Sequence, residues 1–351
     1  MLVCASRALE KVSTSEPSDE DRAHMLDLLR VMLPHMDSAV IGRVWSYAGP
    51  FVESEQRLSQ KTAYRLLEEV CQSQHQGCIT FVQESYMDLM SALKRSMAAA
   101  SASAKTTRLS CLAGLLEHLD GSSEHFVAGV LPEAVLCCKE HNEKSRAAAF
   151  RLIVRIGETL SRWASEAGET PQDAVCKYMK LLLAGLTGSP KLIAGTLLAT
   201  AQVIHQFKEV FPDDLLDLTV DNVCLLMTSS SREPAEACLS LVKALVFALD
   251  PAVFARFLPR LMKALAMMTP DCKRHFRQKT RDLLAVFVRK FGFDVISSLA
   301  PSGDAVLQKR LKNIKKVEQR KKADREARRQ QQQDSDDELA PTTTKRFVRV
   351  W

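Results

Sequence analysis

The residues of this chain with the clearest chemical potential are the lysines and arginines between positions 272 and 329. This segment carries eighteen Lys or Arg residues against six Asp or Glu, a net charge of +12, although the 351-residue chain has a formal net charge of only +6. The rest of the chain therefore sums to −6. A mildly acidic body with one strongly cationic end is typical of a protein that binds a polyanion, and RNA is the first polyanion to consider.

The first part of the cationic segment is residues 273–281, just before an apolar helical stripe. At about 100° per residue, Lys273, Arg277 and Arg281 fall on one helix face, close to Arg274. A fixed ridge of ammonium and guanidinium groups binds phosphates well, and arginine can donate two hydrogen bonds at once. We therefore predict an RNA-binding surface, with a merely solvated helix face as the alternative. Three further basic residues belong to the predicted surface: Lys279, Arg289 and Lys290.

The second part, residues 309–329, has eleven basic residues against three acidic ones. Each phosphate that such a segment neutralises releases condensed counterions, which gives salt-sensitive affinity for nucleic acid of any sequence. The same composition is typical of a nuclear or nucleolar targeting signal, or of a charged solubilising tail. No aromatic residue is interleaved, so base stacking is not expected there. The predicted RNA contacts in this part are Lys309, Arg310, Lys312, Lys315, Lys316, Arg320, Lys321 and Lys322.

An acidic patch follows the basic segment at residues 334–338, where the sequence is Asp-Ser-Asp-Asp-Glu. Ser335 therefore resembles the target of an acidophilic kinase. Phosphorylation would add a charge of about −2 beside the basic segment. We expect such a modification to compete with a bound polyanion.

Signals of catalysis are missing from the sequence. It contains no phosphate-binding glycine loop, no dinucleotide fingerprint, no nucleophile elbow and no His-Glu-x-x-His motif. Cys137, Cys138 and His141 are close in sequence but have no second pair of ligands nearby. We therefore predict no enzymatic activity, no cofactor, no metal site and no small-molecule substrate.

The ten cysteines are scattered and contain no Cys-x-x-Cys pair, which favours a reducing compartment, the cytosol or the nucleus. Residues 181–204 are apolar enough to suggest a membrane helix. However, Thr-Gly-Ser-Pro at 187–190 divides this stretch into two pieces, each too short to cross a bilayer. The sequence therefore predicts two buried helices joined by a turn, and no membrane partner.

The elements that must hold the basic residues show helical periodicity, with no strand-like alternation. Helix pairs recur about every forty residues, and several open with a polar cap or a proline. A pair of this length cannot bury its apolar face alone, but stacked pairs can. The sequence therefore predicts an all-α, HEAT/armadillo-type solenoid of about five to six helical pairs. A compact helical bundle is the alternative.

Changes in composition suggest four segments along the chain. We expect a flexible N-terminus at 1–20, the solenoid at 21–300, a basic helix or tail at 301–333, and an acidic, disordered C-terminus at 334–351. The apolar positions of the third segment stop early, so only its first half is expected to pack on the last repeat. These positions are Leu307, Leu311, Ile314 and Val317.

Two short blocks resemble the last repeats of the ribosomal RNA-processing protein twelve family. They are Arg-His-Phe-Arg at 274–277 and Arg-Lys-Phe-Gly-Phe at 289–293, and generic HEAT repeats would not supply them. Similar stretches occur at 131–140 and 221–226, and the order and spacing agree over roughly 109–317. The chain departs from the family in lacking its long N-terminal solenoid and in its short final segment. It is therefore expected to be a C-terminal portion, a splice form or an incomplete gene model.

The resemblance implies a HEAT-repeat factor of the nucleus and nucleolus. Such a factor would associate with pre-ribosomal RNA and pre-ribosomal particles, take part in ribosomal RNA maturation, and support subunit export with the nuclear transport machinery. It would bind rather than catalyse. We therefore predict a scaffold for ribosome biogenesis that binds RNA through its basic end and proteins through the solenoid. The alternative is a karyopherin-like cargo adaptor whose basic tail is only a nuclear or nucleolar localisation signal.

Overall fold

The computed structural model of the chain describes residues 18–338, apart from the side chains of Lys322 and of residues 329–338. These residues divide into two compact units, 18–250 and 251–338. Every regular element between 18 and 338 is a helix, and no strand occurs there. The described chain is all-α, of the predicted HEAT/armadillo solenoid type.

The first unit consists of helical hairpins joined by short turns. Its eleven helices are α1 (Asp19–Met32), α2 (Ser38–Ala48), α3 (Arg57–Gln72), α4 (Gln76–Arg95), α5 (Lys105–Leu115), α6 (Glu124–Cys137), α7 (Glu143–Glu166), α8 (Pro171–Leu183), α9 (Pro190–Phe207), α10 (Asp213–Met227) and α11 (Arg232–Ala248). The predicted division of 181–204 is confirmed, since α8 ends at Leu183 and α9 begins at Pro190.

The helices of the first unit form two layers. The odd-numbered helices α1 to α11 contact one another in succession, and the even-numbered helices pack against them or against one another. A continuous apolar core runs between the layers, from Leu26 to Leu215. The leucines at helical spacing in α5 are part of this core, because Leu109, Leu112 and Leu115 are fully buried. Stacking therefore buries the apolar face that one hairpin alone would expose.

Several helices begin at a polar cap followed by a proline. Thr170 and Asp173 form a capping box at the start of α8, where each side chain accepts a backbone N–H from the other residue. Ser189 likewise caps α9 by accepting from the N–H of Leu192. Proline occupies the first position of both helices, where no backbone donor is needed. Local chemistry is thus sufficient to fix these boundaries.

A buried ion pair connects three helices of the first unit. The Arg108 side chain is 1% exposed and donates Nε and Nη2 to the two Glu133 carboxylate oxygens, at 2.6 and 2.9 Å. Its Nη1 donates to the Ser96 hydroxyl at 2.9 Å and to the Tyr64 hydroxyl at 3.3 Å. Such complete pairing is required of a guanidinium at this depth, because an unpaired buried charge is very costly.

The second unit contains shorter helices followed by one long one. They are α12 (Pro251–Ala255), α13 (Leu258–Met267), α14 (Pro270–His275), α15 (Arg277–Phe291), α16 (Phe293–Leu299) and α17 (Ala305–Glu338). Its core includes an aromatic cluster in which the Phe254 ring lies 5.7 Å from the rings of Phe287 and Phe291. Gly292 separates α15 from α16 with φ at 87°, a backbone conformation that residues other than glycine rarely adopt.

Helix α17 continues to Glu338, five residues past the boundary expected at 333. The apolar positions at its start are confirmed as packing positions, since Leu307, Leu311 and Ile314 are at most 4% exposed. The four segment boundaries suggested by composition stay predictions, because residues 1–17 and 339–351 lie outside the described part of the chain.

Candidate nucleic-acid interface

The two basic regions of the sequence meet in the second unit, because α17 packs against α15. Helix α15 buries Leu283, Leu284 and Phe287. Helix α17 buries the apolar stripe at its start. Since each helix turns its apolar side inward, the basic side chains at the edge of this contact are brought together.

The result is a groove of about 490 Å³ between α15 and α17, which we call the basic groove. Arg277 and Arg281 line it from α15, and Arg310, Lys316 and Arg320 line it from α17. Four of these five cations are exposed, and Arg310 is half-buried. The other lining residues are Gln278, Asn313 and Val317.

The charge of the basic groove is not compensated by the described residues around it. None of them places a carboxylate within 4 Å of the five lining cations. The nearest acid in sequence, Asp282, instead accepts a hydrogen bond from Gln278 Nε2 at 2.9 Å. Five like charges in one groove repel one another, and a bound polyanion relieves that repulsion.

The predicted ridge of Lys273, Arg277 and Arg281 on one helix face is wrong. Helix α14 ends at His275, and the backbone of Phe276, at φ −95° and ψ 24°, separates it from α15. The Phe276 side chain is 6% exposed, so its burial accompanies the break. Lys273 and Arg274 therefore lie on a different helix from Arg277 and do not line the basic groove.

Lys273 instead forms an ion pair at the start of α17. Its ammonium lies 3.0 Å from Asp304 Oδ2, while Asp304 Oδ1 accepts the N–H of Leu307 at 3.0 Å. Burial alone would raise the pKa of Asp304, but the Leu307 N–H and the Lys273 ammonium outweigh it and hold the pKa below its ordinary value. Arg310 adds a second link by donating to the Lys273 carbonyl at 3.4 Å. Lys273 thus helps to hold α17 in place.

The remaining predicted RNA contacts lie outside the lining of the basic groove. Arg274 is 84% exposed and lies 3.4 Å from Asp271, one turn away. The Lys315 ammonium sits 4.2 Å from the centre of the Phe293 ring, a cation–π contact. Six others are exposed on the surface of the second unit: Lys279, Arg289, Lys290, Lys309, Lys312 and Lys321. The side chains of Lys322 and Ser335 lie outside the described residues. These assignments stay predictions.

Sequence reasoning missed the basic groove itself, although the sequence carried a signal for it. On α17, Arg310, Asn313 and Lys316 follow helical spacing, one position from the buried stripe of Leu307, Leu311 and Ile314. When a helix packs on an apolar stripe, the polar side chains that border the stripe lie at the edge of the contact. What the spacing could not identify was α15 as that helix.

Residues 18–338 contain no cluster of three His, Cys, Asp or Glu side chains that could hold a metal ion. The nine cysteines in this range are free thiols, and burial raises the pKa of Cys71 to about 12 and of Cys137 to about 11. None of the described helices is both long and apolar enough to cross a membrane.

Comparison with known proteins identifies relatives of much greater length. The RRP12-like proteins of Gallus gallus and Homo sapiens are each 34% identical to this chain, over 92% and 91% of it, and over 24% of their own length. Ribosomal RNA-processing protein 12 of Saccharomyces cerevisiae is 26% identical over 86% of the chain and 25% of its own length. The chain therefore spans about a quarter of the relatives it matches. No family model matches it.

Solved structures of repeat proteins show weaker similarity. An archaeal HEAT-like repeat protein from Thermococcus onnurineus NA1 is 14% identical, covers 81% of this chain and 99% of its own, and has a TM-score of 0.39. A chain from the structure of Kap95p with RanGDP is 12% identical, covers 87% and 48%, and has a TM-score of 0.43. Similarities of this size add nothing to the fold that the helices themselves define.

Proposed function

The chain belongs to the RRP12-like family of ribosomal RNA-processing proteins, and on that premise we propose that it is a non-enzymatic scaffold in ribosome biogenesis. It holds RNA through the basic groove of its second unit and proteins through the helical layers of its first. The observation that carries this proposal is the uncompensated groove, where five cations from two helices converge.

The chemistry of the basic groove favours phosphates over other anions. Four of its cations are arginines, whose planar guanidinium groups match two oxygens of one phosphate at a time. Three of these arginines, Arg277, Arg281 and Arg320, are exposed, so they are hydrated in the free protein and become neutralised on binding, with release of counterions from the nucleic acid. Binding of this kind is strong at low salt and indifferent to sequence, which suits a factor that contacts long precursor RNAs.

The first unit supports the protein-binding part of the proposal. A wide groove of about 770 Å³ runs across α3, α5, α7 and α9. Its lining mixes small and apolar residues such as Ala148 and Val154 with an ion-pair network in which Arg155 contacts Glu117 and Glu158. A mixed surface of this kind is typical of sites that bind other proteins. Pre-ribosomal particles and the nuclear transport machinery are the partners we propose, in the nucleus and nucleolus.

Crosslinking in cells tests the proposal. The full chain is irradiated in cells, and the RNA bound to it is purified and sequenced. We expect adducts concentrated in pre-ribosomal RNA, and their loss in a variant that neutralises the basic groove, R277Q/R281Q/K316Q/R320Q. In filter binding, the same variant should reduce the slope of log affinity against log salt concentration by about three.

The control removes as many cations from exposed positions of the first unit, in the variant K144Q/K180Q/K191Q/K243Q. If charge alone matters, both variants weaken crosslinking equally, and the basic groove has no special part. Adducts spread over messenger and transfer RNA without enrichment of ribosomal precursors would contradict the ribosomal role.

A further inference from the structure

The lining of the basic groove also bears on which form of RNA it accepts. It consists of five cations, two amides and one valine. The described lining has neither a carboxylate nor an aromatic ring. These two features have different consequences, since the first concerns phosphates and the second concerns bases.

Proteins that bind single strands combine a positive groove with aromatic rings on which unpaired bases stack. Two phenylalanine rings close to the basic groove in sequence are already engaged. Phe276 is 6% exposed and packs edge-on against His275, with ring centres 4.8 Å apart. The Phe293 ring is covered by the Lys315 ammonium. The described lining of the groove therefore has the positive charge of a single-strand site but no aromatic ring on which bases could stack.

The two amides of the lining offer few hydrogen bonds to base edges. The amide of Gln278 is already bonded to Asp282. This leaves the exposed Asn313 amide, which can both donate to and accept from a ribose 2′-hydroxyl. Duplex RNA is recognised mainly through phosphates and 2′-hydroxyls, because its bases are paired and its deep groove is closed to side chains.

The arrangement of the cations fits a rigid row of phosphates. From Arg310 to Arg320 the lining follows one side of α17 for roughly 15 Å, at 1.5 Å per residue. Arg277 and Arg281 face it from α15, roughly 6 Å apart along the helix. A phosphate backbone that enters between two such rows is contacted from both sides. A duplex presents this backbone already ordered, whereas a single strand must be straightened without any gain from stacking.

We propose that the basic groove binds the phosphate–ribose backbone of base-paired RNA without reading its sequence. The proposal rests on the function proposed above and specifies the form of RNA that the same site takes. It predicts that helical segments of a precursor RNA, rather than its open loops, lie against α15 and α17.

Two RNAs of equal length separate the possibilities in an anisotropy assay with the full chain at about 0.15 M salt. One is a 20-base-pair duplex, and the other is a 20-nucleotide oligouridine that forms no pairs. We expect the duplex to bind at least tenfold more tightly. The variant R281Q/R320Q should lose about tenfold in affinity for the duplex, because two phosphate contacts disappear. The matched variant K243Q/K263Q removes two exposed cations that are neither part of the groove nor among the predicted RNA contacts, and it should lose less than threefold.

The outcomes distinguish this inference from the proposed function. If oligouridine binds as tightly as the duplex and R281Q/R320Q weakens both, the groove binds RNA but the preference for paired RNA is wrong. If the duplex is preferred but the two variants weaken it equally, the groove is not its site, and the inference fails. If neither RNA binds, the proposed RNA-binding function fails as well. Unchanged melting temperatures ensure that these losses do not reflect unfolding.

Discussion

Two adjacent residues, Lys273 and Arg274, show how neighbouring cations can serve different purposes. Both belong to α14, and the sequence alone treats them alike. Lys273 is ion-paired with Asp304, whose side chain is 15% exposed, whereas Arg274 is 84% exposed and lies near only a surface acid. A partly buried, hydrogen-bonded pair contributes more to stability than a surface pair, which is typically worth about 0–1 kcal/mol.

The first prediction compares these two residues. Lys273→Gln should lower the free energy of unfolding by about 1–2 kcal/mol, because Asp304 loses a charged hydrogen-bond partner. Arg274→Gln removes the same charge from the same helix and should change it by less than about 0.5 kcal/mol. Urea denaturation of both variants measures the difference. Equal effects would mean that the Lys273–Asp304 pair contributes nothing beyond a surface contact.

The second prediction concerns the pH dependence of that pair. The pKa of Asp304 is lower in the folded chain than its ordinary value, so its ionised form stabilises the fold. This contribution is present in full above the unfolded pKa, about 3.9. It disappears as the pH falls through the folded pKa. The stability difference between the wild type and Asp304→Asn should therefore be constant from pH 7 to about 5 and shrink below pH 4. A difference that persists undiminished at pH 2.5 would contradict the lowered pKa.

At the scale of elements, the basic groove exists only while α17 is packed on the second unit. The contact is made by Leu307, Leu311 and Ile314, and the ion pair at Asp304 fixes where the helix begins. Since both sides of the groove must be present, apolar packing controls an electrostatic site. Affinity for RNA should then depend on residues that carry no charge.

The third prediction tests this dependence with Leu311→Ala. Leu311 is fully buried, and its truncation should cost about 2–4 kcal/mol and loosen α17. We expect weaker RNA binding and faster hydrogen exchange of backbone amides in 305–320, although every cation remains. Val306→Ala is the control, because Val306 lies on the same helix and is 56% exposed. Wild-type affinity in Leu311→Ala, with exchange accelerated, would show that the tail binds RNA without the groove.

The geometry of α17 also limits how Ser335 can act. Along a continuous helix, Ser335 lies fifteen residues beyond Arg320, roughly 22 Å at 1.5 Å per residue. The Debye length at physiological salt is about 8 Å, so a phosphate at Ser335 is screened from the groove. Competition with a bound polyanion therefore concerns the cations near the end of the helix, such as Arg328, more than the groove.

What the sequence could predict separates into local and long-range features. The division of residues 181–204 into two helices and the packing of Leu311 depend on residues within a few turns, and they are confirmed. The break at Phe276 was missed because it accompanies burial of that ring against the rest of the unit. The Lys273–Asp304 and Arg108–Glu133 pairs join residues 31 and 25 positions apart. Periodicity carries no information on such pairings.

At the scale of the whole molecule, the scaffold and the cargo adaptor place different demands on the basic residues. A scaffold needs the cations of the groove, whichever element supplies them. An adaptor needs only the dense tail clusters that a transport receptor would read, at 315–316 and 320–322. The two sets share Lys316 and Arg320, which line the groove, but each also has members of its own. Arg277 and Arg281 line the groove from α15, while Lys321 lies on α17 outside the lining, so the two demands can be tested apart.

The last prediction uses this separation in the full chain. For a scaffold, R277Q/R281Q should remain in the nucleus but lose at least tenfold in RNA affinity and no longer cosediment with pre-ribosomal particles, because two phosphate contacts are removed. The variant K321Q/K322Q removes the same charge from the tail and should keep most of the RNA affinity, even if it moves to the cytoplasm. Fluorescence imaging, sucrose-gradient sedimentation and filter binding measure the three properties. For a cargo adaptor, R277Q/R281Q would leave cosedimentation with pre-ribosomal particles intact. K321Q/K322Q would abolish it by keeping the protein out of the nucleus.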